Sequence, residues 1–282
     1  MGSVKNAGAF VVVLVASFTV MNGLPVDGLR SACGQELVLA FVALAGVGLA
    51  CPEVLVKRCT HDAQHVRTVC NVIAAIGAVG AAITLAAWGF GGATIVGPLA
   101  WAAVPSVQDA AMRLILLLTI CVLTAVFEES LMRALCINAL RGALGANGKP
   151  RAGATRHAML LAALLFALLH VGVPDVAAST VVVFQSALKF VQATLFALVM
   201  GALYVETASL RPCIAAHAAF DALYLGPTVV LTGALPATYA SGLPFDTALL
   251  AATTVLLAAL LLALHRKAVR RCKCCAIPGA PD

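Results

Sequence analysis

Apolar runs long enough to cross a bilayer recur along this chain from end to end, and no soluble domain of useful size separates them. They fall near residues 7–22, 36–56, 68–89, 112–140, 157–173, 178–204, 212–232 and 247–265. A helix needs roughly 17 or more residues to span the hydrocarbon core, and each run is close to or above that length. In hydrocarbon every backbone N–H and C=O must be bonded within the segment, so runs of this length are expected to be helices. Composition agrees: of 282 residues, 62% are hydrophobic and 11% charged, against about 25% charged in soluble domains. The mean hydropathy is +1.03. The expected fold is therefore all-α, a polytopic bundle of about eight spans forming a single integral membrane domain over 1–282, with a basic, cysteine-containing tail at 266–282.

Charge sets an orientation. The net charge of +6 points to the positive-inside rule rather than to nucleic acid. With the N-terminus in the cytoplasm, that side carries Lys5, Lys57, Arg58, Arg67, Arg141, Lys149, Arg151, Arg156, Arg211, Arg266, Lys267, Arg270, Arg271 and Lys273. These are 14 of the 18 basic residues. The other side holds Arg30; Arg113 falls at a span boundary, and Arg133 and Lys189 lie within spans. Both termini are then cytoplasmic, in the cell membrane if the source is bacterial. The first run, preceded by Lys5, resembles a signal peptide but lacks a clear small-x-small cleavage site, and is read as a retained span. The stretch 90–111, with its Gly, Pro and Trp, reads as re-entrant or interfacial. The ten cysteines show no disulfide or zinc-knuckle spacing. Cys272, Cys274 and Cys275 in the tail are sites for acylation or metal binding, or ordinary cytoplasmic thiols.

Against this background three polar groups stand out, because ionisable side chains within spans are costly and usually face a protein interior. "FEESLMRAL" carries Glu128, Glu129 and Arg133. At about 100° per residue, Glu129 and Arg133 share a face and pair, whereas Glu128 points about 140° away from Arg133. Glu128 is thus suited to general-base work and Glu129 to a supporting role; the alternative is an ion-pair cluster that only locks helices together. "FALLH" sets Phe166 and His170 on one face, and "HAAFD" does the same for His217 and Asp221. Either histidine alone reads equally as an interhelical hydrogen-bonder. Taken together, carboxylate, imidazole, and imidazole plus carboxylate on three helices are best satisfied by one converging polar cavity.

The order EExxxR, FxxxH, HxxxD, written here as "EESLMR", "FALLH" and "HAAFD", resembles the signature of the CPBP (CAAX prenyl-protease and bacteriocin-processing, or Abi) family of intramembrane proteases. The resemblance covers roughly residues 112–232. It implies a membrane bundle of about eight helices and endoproteolysis of a membrane-associated or prenylated peptide or protein. By position, Glu128 resembles the water-activating glutamate, His170 and His217 the two catalytic histidines, and Asp221 a position that is Asn or Asp in the family. Glu129, Arg133 and Phe166 are then supporting residues. Met132 stands where many relatives have an aromatic residue. No cofactor is expected; were zinc used, its ligands would be His170, His217 and Glu128, although no HExxH-like local pair is present. Two other classes fit the polar residues: a transporter or proton path, which no internal repeat supports, and a non-catalytic immunity or scaffold relative.

Two further features set expectations. Gln185, Lys189 and Gln192 form a stripe that either lines the cavity, where Lys189 would meet a substrate carboxylate, or packs against another helix. Depth is uneven. At about 1.5 Å per residue, Glu128 is about 20 Å from Arg141 and His170 about 21 Å from Arg156, but His217 is only about 9 Å from Arg211. Either the 206–212 turn is recessed into the bundle or the span limits differ.

Overall fold

A computed structural model describes residues 2–56, 63–144, 153–171, 179–237 and 240–275. Among the described residues the chain is helical and contains no strand. In order the α-helices are α1 (Gly2–Gly23), α2 (Leu29–Ala50), α3 (Glu53–Val56), α4 (Ala63–Phe90), α5 (Ala93–Val96), α6 (Val107–Glu129), α7 (Asn138–Ala143), α8 (Ala154–Val171), α9 (Thr180–Thr207), α10 (Leu210–Thr232) and α11 (Pro244–Cys275). A 3-10 turn (Gly97–Trp101) follows α5, and a π-helical segment (Ser130–Ile137) joins α6 to α7.

Among the described residues eight helices are long and apolar enough to cross a membrane: Val4–Gly23, Leu29–Ala50, Ala63–Phe90, Val107–Ala143, Ala154–Val171, Thr180–Thr207, Leu210–Thr232 and Pro244–Arg266. The protein is an integral membrane helix bundle. The number of spans is the one expected; their limits shift by several residues, and the second ends at Ala50 rather than near 56. The expected re-entrant stretch holds α5, the 3-10 turn and an extended link, pinned where the Trp88 indole donates to the Ala102 carbonyl at 3.0 Å. The side chains of Cys272, Cys274 and Cys275 lie outside the described residues.

One buried apolar cluster draws on all eight spans, from Val13 on α1 through Leu39, Ile73, Leu135, Ala158, Met200 and Phe220 to Leu257 on α11. Its helices approach closely where side chains are smallest, the usual basis of helix packing in lipid. On α4, Gly77 faces α10: a Cβ there would come within 2.8 Å of the Phe220 carbonyl oxygen, and one at Gly80 within 2.9 Å of the Tyr224 ring. At the far end of α10, Arg113 of α6 donates to the carbonyls of Val230 and Leu231 at 2.8 and 2.9 Å. These carbonyls lack helical partners and carry the negative end of the helix dipole. α10 is thus held along its length by α4 and α6.

The link from α9 to α10 is short and partly buried. Thr207, Ser209 and Leu210 are buried. Ala208 turns the chain with φ 48°, and the Thr207 hydroxyl accepts from the Ser209 N–H at 3.3 Å. The turn is packed among the helices although Arg211 just after it is exposed, and His217 follows two helical turns into α10.

Candidate active site

Glu128 and Glu129 close α6 just where the chain enters the π-helical segment. Such segments widen the helix locally and recur at functional sites. All eight residues of this one are buried. Glu129 and Arg133 are fully buried and paired: Arg133 Nε donates to Glu129 Oε2 at 2.9 Å and Nη2 to Oε1 at 3.4 Å. The guanidinium also lies 5.3 Å from the centre of the Phe166 ring, a cation–π contact that ties the pair to α8.

α10 brings His217 against this pair. Its Nδ1 is 2.9 Å from Glu129 Oε1. A carboxylate engaged by arginine accepts only, so Nδ1 carries a proton and donates. Phe196 of α9 meets the imidazole edge-on at 4.9 Å, fixing the plane of the ring. Nε2 then faces the open side, 3.3 Å from Asp221 Oδ2 and 3.6 Å from Glu128 Oε2. In the structure Glu129 holds Nδ1, and Asp221 flanks the other nitrogen.

His170, near the end of α8, is fixed in a similar way. Its Nδ1 donates to the Phe166 carbonyl at 2.9 Å, and the two rings lie 4.1 Å apart. Nε2 points at Glu128 Oε1, 3.7 Å away. When neutral, both histidines therefore present Nε2 lone pairs toward one carboxylate, at separations longer than a direct hydrogen bond. A proton or a bridging water reconciles three facing acceptors. Glu128 Oε2 has no hydrogen-bond partner among the described residues. The four residues expected to converge, Glu128, His170, His217 and Asp221, are drawn from α6, α8 and α10 to one place. Glu129, Arg133 and Phe166 lie directly behind them.

Glu128 and His170 open into a cavity of about 280 Å³ whose apolar wall includes Leu14 and Phe18 of α1 and Leu131 and Met132 of the π segment. Lys189 of α9 is within electrostatic reach of Glu128 and Asp221, with its Nζ donating to Gln192 Oε1 at 3.2 Å. The rest of the polar stripe packs. Gln185 donates to the Leu243 carbonyl at 2.8 Å and accepts from the Gly242 N–H at 2.9 Å, while Gln192 bonds Thr253 of α11.

Sequence reasoning missed Glu36. This carboxylate of α2 lies near Thr124 of α6 and is within electrostatic reach of both Asp221 and Glu128. The signal was present, a lone acid in the apolar run "ELVLAFVALAG". Nothing in that run says which helix it faces.

His170 and His217 each commit Nδ1, to the Phe166 carbonyl and to Glu129 respectively, and leave Nε2 facing Glu128. Among the described residues no group of three or more His, Cys, Asp or Glu is arranged to hold a metal ion.

No curated protein and no solved structure matches this chain. A family model does match, over residues 110–223, the segment running from α6 into α10 that supplies Glu128, His170, His217 and Asp221. That model describes the Rce1-like, type II CAAX prenyl endopeptidases, the same family of membrane proteases that the three motifs resemble, and together with the eight apolar helices it supports an intramembrane endopeptidase.

Proposed function

We propose that this protein hydrolyses a peptide bond of a membrane-associated or prenylated protein or peptide, using a water activated by Glu128. One observation carries the reading: Glu128 faces Nε2 of both His170 and His217 and has an oxygen without a partner, whereas the adjacent Glu129 is fully engaged. Of two neighbouring carboxylates, one is free to exchange a proton and the other is not.

In the proposed reaction a water bonds Glu128 and donates its second hydrogen to Nε2 of His170. Glu128 removes a proton as the water oxygen attacks the scissile carbonyl carbon. Negative charge develops on the carbonyl oxygen and is met by a proton on His217 Nε2, whose ring is held by Glu129 and flanked by Asp221. The carbon–nitrogen bond then breaks, and the proton taken by Glu128 passes to the leaving nitrogen, restoring the carboxylate. Lys189 supplies a positive charge beside the site for a substrate carboxylate. The apolar cavity suits an apolar side chain or lipid-modified segment approaching between α1 and α8. The basic residues, 14 of 18 assigned to one side, support an orientation with both termini in the cytoplasm.

The test is cleavage of a membrane-anchored reporter peptide by purified protein in liposomes. Glu128→Gln, His170→Ala and His217→Ala should each lower kcat by about 10²–10⁴, the range of a general acid–base contribution. Unchanged cleavage by Glu128→Gln would remove the mechanism.

A further inference from the structure

At the end of the bundle that carries Arg67, Arg156, Arg211 and Arg266, four spans surround a second cavity. The starts of α4 and α8, the end of α9 and the late part of α11 enclose about 1010 Å³. That is at the upper limit of about 300–1,000 Å³ for small-molecule sites. Its inner wall is apolar, formed mainly by Leu160, Leu198, Leu261 and Leu262, of which Leu160 and Leu262 are exposed. Arg156, His157 and His265 also line it, and all three are exposed. Among the described residues the single carboxylate lining it is Glu206, which is engaged by His65 at 3.4 Å. A mostly apolar cavity bordered by an exposed arginine and two exposed histidines, lying at the ends of membrane spans, matches one kind of molecule in two ways at once. Hydrocarbon fills the leucine wall without desolvation cost, and a phosphate accepts from guanidinium and imidazole.

We propose that this cavity binds an anionic phospholipid, with an acyl chain along Leu160, Leu198 and Leu261 and the headgroup phosphate at Arg156, His157 and His265. Basic pockets between spans on the cytoplasmic side hold anionic headgroups, and this is the cytoplasmic end in the orientation proposed above. The site is separate from the one around Glu128, and its occupancy does not depend on the protease reading. The two are linked through α8, which carries Arg156 near its first turn and His170 near its last. A lipid clasped at Arg156 therefore braces the helix that supplies His170.

The experiment uses the full chain, purified in a neutral detergent and supplied with phosphatidylglycerol, phosphatidylcholine or inorganic phosphate. Bound lipid is read by mass spectrometry and thermal melting by intrinsic fluorescence. Phosphatidylglycerol should be retained in preference to phosphatidylcholine and should raise Tm by several degrees, with phosphate alone giving no such rise. Arg156→Ala combined with His265→Ala, both at exposed positions that the fold does not rely on, should cut phosphatidylglycerol retention at least fivefold and abolish the Tm rise. Leu198→Trp, which fills the wall, should lower retention of both lipids. Equal retention of the two lipids by the wild type would overturn the proposal. So would a full Tm rise with phosphate alone, or wild-type retention of phosphatidylglycerol by the double variant.

Discussion

Glu129 accepts a hydrogen bond from Nδ1 of His217 at 2.9 Å across 88 positions of sequence, and the same carboxylate takes the Arg133 guanidinium. Glu129 is therefore the hinge between a buried ion pair and the histidine that faces Glu128. Arg133 fixes the carboxylate, the carboxylate fixes the imidazole, and Nε2 is left as the only nitrogen of His217 available for chemistry.

That relationship separates the two glutamates. Glu128→Gln should leave Tm within a degree or two of wild type while abolishing cleavage. Glu129→Gln strands a buried arginine and should cost about 3–5 kcal/mol. Combining Glu129→Gln with Arg133→Gln should recover much of the stability, because neither charge is then unpaired. Activity should not return with it, since an amide at 129 is no longer fixed by Arg133 and carries no charge to hold a protonated His217. Thermal melting in detergent and reporter cleavage, measured on all the variants, check this; a double variant that regains both stability and activity would show that Glu129 does not orient His217.

Asp221→Asn should keep cleavage within about tenfold of wild type, and Asp221→Ala should lose about 10² or more. The amide oxygen can still accept from His217 Nε2, and the amide N–H can donate to the developing oxyanion. Steady-state kcat/KM on one reporter decides it. Equal losses for the two variants would assign Asp221 a purely ionic role.

The seating of α10 depends on Gly77. Gly77→Val should cost about 1–3 kcal/mol from overpacking against the Phe220 backbone and should lower kcat, because His217 and Asp221 move with the helix. Gly34→Ala on α2, where a Cβ meets nothing within 4 Å, is the control and should be neutral or slightly stabilising. Melting and kcat for the pair test whether the close approach positions the site.

Chelators strong enough to strip zinc should leave kcat unchanged, and elemental analysis of active protein should find well under one equivalent of metal. The expectation rests on the proposed mechanism, in which the Glu128 carboxylate is the group that activates the water. Reversible loss of activity on chelation, restored by zinc, would require a metal-based mechanism.

Trp101 is 79% exposed between the third and fourth spans. In a cysteine-free background, Trp101→Cys should react with an impermeant maleimide added outside intact cells, and a single Cys272 should not. The reverse pattern would invert the orientation.

The sequence by itself determined the helices and the pairs within each. Span length follows from bilayer thickness and the 1.5 Å rise. The Glu129–Arg133, Phe166–His170 and His217–Asp221 contacts follow from i, i+4 spacing, which is local and needs no neighbour. What only the tertiary structure decided is how each helix is rotated and how deep it sits. Periodicity names a polar face but not what that face meets. Gln185 and Gln192 share Lys189's stripe yet bond toward α11, Glu36 of α2 lies within electrostatic reach of Asp221 of α10, and Glu129 meets a histidine 88 residues away. Depth was hidden for the same reason. The turn at Thr207–Leu210 is polar enough to read as a surface link, but Thr207 and Ser209 satisfy each other locally, so the turn can be buried and His217 drawn level with Glu128. Those outcomes depend on small residues such as Gly77 setting how closely two helices approach, a property of the pair of surfaces rather than of either sequence segment alone.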